Sequence, residues 1–164
     1  MGRKKAYIRD EVLEKALELF WKMGYEGSHL QDLVEHTGLN RFSLYKEFGG
    51  KEGLFDESLT LYLDSLEAAL QSLTKDPQGL NTILSFFQKM DLKFFIHGCF
   101  LINSLADKYT IQKNTYARAL EWVNRFDKAI EMNLQISKDK GELIDLPIDA
   151  IKRFIVTVDS GITI

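Results

Sequence analysis

The chain has one cysteine and two prolines in 164 residues, and no apolar run long enough to span a membrane. A single cysteine excludes an intramolecular disulfide framework and suits a reducing cytoplasm. So few prolines, with almost no alternation of β-branched residues, argue against sheet and for an all-α protein. Met1 to Asp10 has no apolar core of the kind a signal peptide needs, so a cytoplasmic protein with no membrane partner is expected. The histidines, His29, His36 and His97, are scattered. No metal-ligand pair stands at helical spacing with a carboxylate, and neither a Gly-rich phosphate loop nor a nucleophile elbow is present, so the reading is no enzyme, no metal and no cofactor. The formal charge of -3 argues against a protein that coats nucleic acid nonspecifically.

What is present begins with enough apolar content, 45%, for a real core. Charge is unevenly placed: residues 1–51 carry nine Lys/Arg against eight Asp/Glu, and residues 52–164 carry twelve against sixteen. The front end is therefore the plausible face for DNA.

Ser28 to Lys51 reads as two short helices joined by a tight Gly-containing turn, a helix-turn-helix. Ser28 with Gln31 forms an S-x-x-Q capping box, which starts the first of them near His29. Leu30, Leu33 and Val34 make its buried face, and Thr37-Gly38 ends it. Asn40 caps the next helix, in which Leu44 and Phe48 share an inward face with Leu39 just outside. Its opposite side carries Phe42, Tyr45 and Lys46, with Arg41 in the first turn, the hydrogen-bonding and cationic groups that a groove-reading helix needs. Gly49-Gly50 closes it. Lys51 then opens a long helix whose N-terminus suits a phosphate. The same residues could be two amphipathic helices with ordinary surface charges.

With their flanks, these residues resemble the DNA-binding domain of the TetR/AcrR family of bacterial repressors. The resemblance runs from Gly2-Arg3 to about Tyr62: a basic arm, EVLEKALELFWKMGYEGS, LQDLVEHTGLN, RFSLYKEF and GGKEGLFDESL. It departs at Phe42, where the family often has a small residue or proline, and at His29, where it has Thr or Ser. Both positions face DNA in relatives, so the operator sequence does not carry over. The implied DNA-facing set is Arg3, Lys4, Lys5, Ser28, His29, Asn40, Arg41, Phe42, Ser43, Tyr45, Lys46 and Lys51. For Arg3-Lys4-Lys5 the choice is between an idle terminal arm and one that meets phosphates or the minor groove.

Ahead of the motif, residues 9–23 read as a packing helix with Val12-Leu13, Ala16-Leu17 and Phe20-Trp21 on one stripe. A fourth helix, Lys51 to about Leu73, is long enough to connect the DNA-binding unit to a body. Asp76 and Pro77 read as cap and first residue of a fifth helix running to about Phe94. CFLINSLADKY reads as a sixth, and its GCFLINS segment resembles a Gly-Cys-Leu-Leu stretch in the bodies of one group of TetR-like repressors. A seventh runs from Thr110 or Ile111 to Lys140, and an eighth from after Pro147 to the end.

The expected fold is thus all-α, an N-terminal three-helix helix-turn-helix domain (1–50) joined to a helical ligand-binding and dimerisation domain (51–164). The chain reads as lacking the family's last helix. Phe154, Val158, Gly161 and Ile162 form the candidate dimer stripe, with this subunit's own core as the alternative. A ligand pocket is assigned to Tyr62, Phe87, Cys99, Phe100, Asn103, Trp122 and Phe126, for a small apolar or aromatic molecule. Core packing explains most such aromatics equally well. Cys99 is a small buried hydrophobe by default, or a sensor thiol. The function implied is a homodimeric repressor that binds an inverted repeat in double-stranded DNA and is released by an inducer. The alternative is an all-α carrier or interaction module without specific DNA binding.

Overall fold

A computed structural model describes residues 7–75, 78–89, 97–143 and 147–161, with the side chains of 154 and 156–161 outside the description. Among these residues there are eight helices and no strand. They are α1 (Arg9–Gly27), α2 (Leu30–Thr37), α3 (Arg41–Phe48), α4 (Lys51–Ser72), α5 (Leu80–Gln88), α6 (Phe100–Ala106), α7 (Lys113–Asp139) and α8 (Ile148–Gly161).

α1 buries the expected stripe, Val12, Leu13, Ala16, Phe20 and Trp21, but runs four residues beyond its expected end. The extension is interrupted at Gly24, whose φ of 69° and ψ of 174° fit only a residue without Cβ. That break corrects the reading of Ser28. Its hydroxyl donates to the Gly24 carbonyl at 2.7 Å, so Ser28 closes α1 and does not cap α2. The cap of α2 is His29, whose backbone N–H donates to Asp32 Oδ2 at 3.2 Å. Asn40 caps α3 as expected, its Oδ1 accepting from the Ser43 N–H at 2.8 Å. Gly38 and Gly49 end α2 and α3 in the left-handed conformation.

α3 and α4 meet more closely than any side chain permits. A Cβ on Gly53 would lie 1.7 Å from the Phe48 carbonyl oxygen. Arg9 adds a second tie, its guanidinium 4.8 Å from the Phe48 ring centroid and ion-paired to Glu57. Leu33, Leu39, Leu44, Leu54 and Leu59 are wholly buried in the core of this end of the molecule.

The same core continues into the body through ring contacts. Phe55 of α4 meets Phe20 (5.0 Å between centroids), Tyr25 (5.0 Å) and Phe100 of α6 (5.7 Å). Tyr62 meets Trp21 (5.1 Å) and Phe100 (5.4 Å). A second set of ring contacts in the same core lies between α5 and α7, where Phe126 meets Phe86 (5.2 Å) and stacks on Trp122 (5.6 Å).

Helix starts in the body differ from the sequence expectation. α5 begins at Leu80 with Gly79 as its cap, because the Gly79 N–H donates to the buried Asn133 Oδ1 at 2.8 Å. Asp76 and Pro77 themselves lie outside the described residues, as does the stretch from Met90 to Phe94. α7 begins at Lys113, since the N–H groups of Thr110 and Ile111 are engaged by the Asp107 carbonyl in a turn. No helix among the described residues is long and apolar enough to cross a membrane.

Candidate nucleic-acid interface

α3 is eight residues long and splits cleanly into two faces. Leu44 and Phe48 are buried, whereas Phe42 is 76% exposed and Tyr45 55% exposed. Arg41 and Lys46 are exposed beside them, and Ser43 is half-buried because its N–H is held by Asn40. His29 and Asn40 are exposed at the starts of α2 and α3. Helical periodicity thus puts Arg41, Phe42, Tyr45 and Lys46 on the exposed side of α3. Two large aromatics exposed on a helix whose other side is packed, with a cation at each end of the set, are the kind of surface patch that marks an interaction site.

Ser28 does not belong to this surface: it is wholly buried, with its hydroxyl turned to Gly24. Arg3, Lys4 and Lys5 lie outside the described residues. Lys51 is half-buried, with Nζ 4.3 Å above the Tyr25 ring. Burial lowers the pKa of its ammonium, and Glu26 and Asp107 act in the opposite direction. Burial raises that of the Tyr25 phenol, reinforced by Glu52, Glu26 and Asp107. Lys51 is therefore also part of the seam between α4 and the end of α1.

Sequence reading missed what orients Tyr45. A Cβ on Gly50 would lie 3.1 Å from Tyr45 Cε1, so the ring packs over a bare backbone. It also missed the Tyr25 N–H, freed by the Gly24 break, which donates to Asp107 Oδ2 at 3.1 Å. The Gly49-Gly50 pair was the sequence signal for the first and Gly24 for the second.

Of the seven expected ligand residues, Tyr62, Cys99, Phe100, Trp122 and Phe126 belong to one hydrophobic core, with Phe87 packed against it, and their ring contacts fall into two sets. Tyr62, Cys99 and Phe100 sit at the junction of α1, α4 and α6, with Tyr62 Oη 3.9 Å from the buried Cys99 Sγ. Trp122 and Phe126 belong to the α5–α7 set, which Phe87 joins through Phe86 (5.3 Å). Asn103 Nδ2 donates to the His97 carbonyl at 3.0 Å. An apolar cleft of about 270 Å³ between α4 and α7, floored by Leu70, Ala129 and Met132, contains none of the seven. For the dimer stripe, the side chains of Phe154, Val158 and Gly161, and Ile162 entirely, lie outside the description. No cluster of three metal-ligating side chains occurs among the described residues.

The bacterial regulatory proteins of the tetR family match residues 12–58, from early α1 into α4. The HTH-type transcriptional repressor ComR of Escherichia coli (strain K12) is 38% identical over 109 residues, covering 63% of this chain and 52% of ComR, about half its length. The HTH-type transcriptional regulator YezE of Bacillus subtilis (strain 168) is 31% identical over 162 residues, covering 94% of this chain and 84% of YezE. Among solved structures, a cysteine mutant of the TetR family transcriptional regulator CifR, complexed with 26-bp double-strand operator DNA, superposes with a TM-score of 0.73. It is 26% identical and covers 98% of this chain and 87% of that one. Likeness to YezE over most of both chains, the family match across the helix-turn-helix and the shared fold together establish that this chain belongs to the TetR family of bacterial transcriptional regulators.

Proposed function

We propose that the protein is a cytoplasmic, homodimeric transcriptional repressor that binds an inverted-repeat operator through α2 and α3 and is released by a small apolar or aromatic ligand. The carrying observation is the outward face of α3, where Phe42 and Tyr45 stand in water between Arg41 and Lys46. ComR is named a repressor and CifR is seen on operator DNA, which supports the same role here. Residues 1–50 form the DNA-binding unit, with His29, Asn40, Arg41, Phe42, Ser43, Tyr45 and Lys46 toward DNA and Lys51 and the Arg3-Lys4-Lys5 arm toward phosphates. Residues 51–164 bind the ligand and a second copy, with Phe154, Val158 and Gly161 of α8, and Ile162 beyond the described residues, in the dimer contact.

Two copies are needed because one α3 reads only a few base pairs, and twofold-related heads meet half-sites about 34–36 Å apart. A ligand that prefers another head spacing weakens DNA binding by its differential affinity for the two states. Selection from random duplexes by the purified protein, with the mass of the complex recorded, tests the reading. Enrichment of an inverted repeat by a dimer supports it, and a well-folded dimer that enriches nothing rejects it in favour of a carrier.

A further inference from the structure

α7 carries three buried side-chain groups with no hydrogen-bond partner among the described residues, Arg118 Nε, Trp122 Nε1 and Ser137 Oγ, and the first two are neighbours that can only donate. Four residues apart, they share one face of the helix, a turn from each other. Buried N–H groups are almost always paired, so two neighbours left open call for a reason.

Neither side chain is loosely held. Arg118 donates through Nη1 to Thr60 Oγ1 at 2.8 Å and through Nη2 to Asp56 Oδ1 at 2.5 Å and the Asp56 carbonyl at 3.3 Å, which fixes the guanidinium while its buried Nε–H meets no acceptor among the described residues. The indole of Trp122 is stacked on Phe126 with 11° between the planes. Trp21 supplies the internal contrast. It is as buried as Trp122, 8% against 6% exposed, yet its Nε1 donates to the Gly98 carbonyl at 2.8 Å. The fold pairs the Trp21 indole donor with a backbone acceptor, and at Trp122 the described residues supply none.

We propose that Trp122 Nε1–H, seconded by Arg118 Nε–H, recognises the inducer, an aromatic or apolar molecule that presents an acceptor oxygen, carbonyl or carboxylate. The inference rests on the ligand-responsive reading above. Donors without acceptors select an acceptor, and the flanking Phe126 and Phe86 rings select an apolar body. Asp56 already balances the Arg118 charge, so a neutral carbonyl suffices. Sequence reading named Trp122 but not Arg118.

The test uses the full chain and its two indole N–H resonances, assigned by Trp122→Phe, or by Trp21→Phe should the first variant not fold. Probes of one skeleton are compared: acetophenone, phenylacetate and ethylbenzene. In the free protein the Trp122 indole proton should resonate upfield of that of Trp21, as an unbonded donor does. Acetophenone or phenylacetate should move it downfield in a saturable way, the ketone and the carboxylate separating neutral from charged acceptors, and ethylbenzene should not. Trp122→Phe should weaken the better acceptor probe about fivefold, the factor of one hydrogen bond. A Trp122 resonance that neither acceptor moves at millimolar concentration, or that ethylbenzene moves equally, overturns the proposal. An enriched operator alongside an unmoved Trp122 resonance rejects the two donors and keeps the repressor, so the two failures are distinguishable.

Discussion

The backbone N–H of Tyr25 donates to Asp107 Oδ2 at 3.1 Å, tying the end of α1 to the turn after α6 across 82 residues of sequence. The bond exists because Gly24 takes Tyr25 out of the helical ladder. Asp107→Ala should cost about 1–2 kcal/mol, since it leaves that donor without its acceptor. For a chain of this size that is a fall in Tm of about 2–8 °C. Asp107→Asn keeps an acceptor oxygen and should lose less; equal losses in thermal unfolding would show that the charge, not the acceptor, matters.

Asn133 is wholly buried and serves three backbone groups at once. Its Nδ2 donates to the carbonyls of Leu73 (2.6 Å) and Ala129 (2.8 Å), and its Oδ1 accepts from Gly79 (2.8 Å). Asn133→Leu keeps the volume but strands the Gly79 donor and the Leu73 acceptor, at a cost of about 2–4 kcal/mol. Urea unfolding should show a lower midpoint with an unchanged slope. A midpoint within error of the parent would mean that the α4–α5 turn has another support.

On α3 the exposed residues divide by task. Arg41→Ala or Phe42→Ala should change which sequence is preferred, whereas Tyr45→Ala or Lys51→Ala should weaken binding to every duplex. The salt slope of binding should fall by about one for each phosphate that a variant no longer neutralises. Lys51→Met isolates the contribution of its stem, which packs at Tyr25. Equal losses on specific and random DNA for all four alanine variants would remove the division.

Arg125 Nη2 donates to Glu67 Oε1 at 2.6 Å on the exposed flank of α4 and α7. That bond holds the Glu67 pKa below its usual 4.5, against a smaller opposing effect of burial. A carboxylate with a depressed folded pKa contributes stability that is fully present above the unfolded value and lost as pH falls through the folded one. The window therefore lies below pH 4.5. Arg125→Gln should raise the Glu67 midpoint in an NMR titration toward 4.5 and barely alter stability at neutral pH, because the pair is in water. An unmoved midpoint rejects Arg125 as the cause.

Gly53 looks replaceable in sequence, a glycine inside a helix where alanine is ordinarily better by about 1 kcal/mol. The 1.7 Å approach to the Phe48 carbonyl reverses the sign. Gly53→Ala should force α3 from α4 and destabilise by several kcal/mol, about 3 or more, among the largest effects of any single change here. A folded Gly53→Ala protein with an unchanged Tm would disprove the close contact.

What could be seen in the sequence was what local chemistry decides. Asn40, Leu44, Phe48 and Gly49 announce α3 and its two faces by capping preference and a 3.6-residue period, and Phe42 and Tyr45 follow as outward by the same count. Features set by distant partners were hidden. Ser28 and Gln31 spell a cap, but Gly24 bends the chain so that Ser28 is used backward and Asp32 does the capping. Gly79 starts α5 because of Asn133, and Lys51 turns toward Tyr25; neither partner is nearby in sequence. The expected ligand aromatics divide between two sets of ring contacts within one core, a division hidden in the sequence because aromatic periodicity marks burial without saying against what.

The seam at Gly53 leaves α3 no slack against α4, so the two turn as one rigid arm. α4 has 22 residues, a length of about 33 Å. A pivot of about 6° at its far end therefore carries α3 about 3.4 Å, one base step along a DNA strand. In the proposed dimer, a tilt that small puts one reading head a whole base pair out of step with the other.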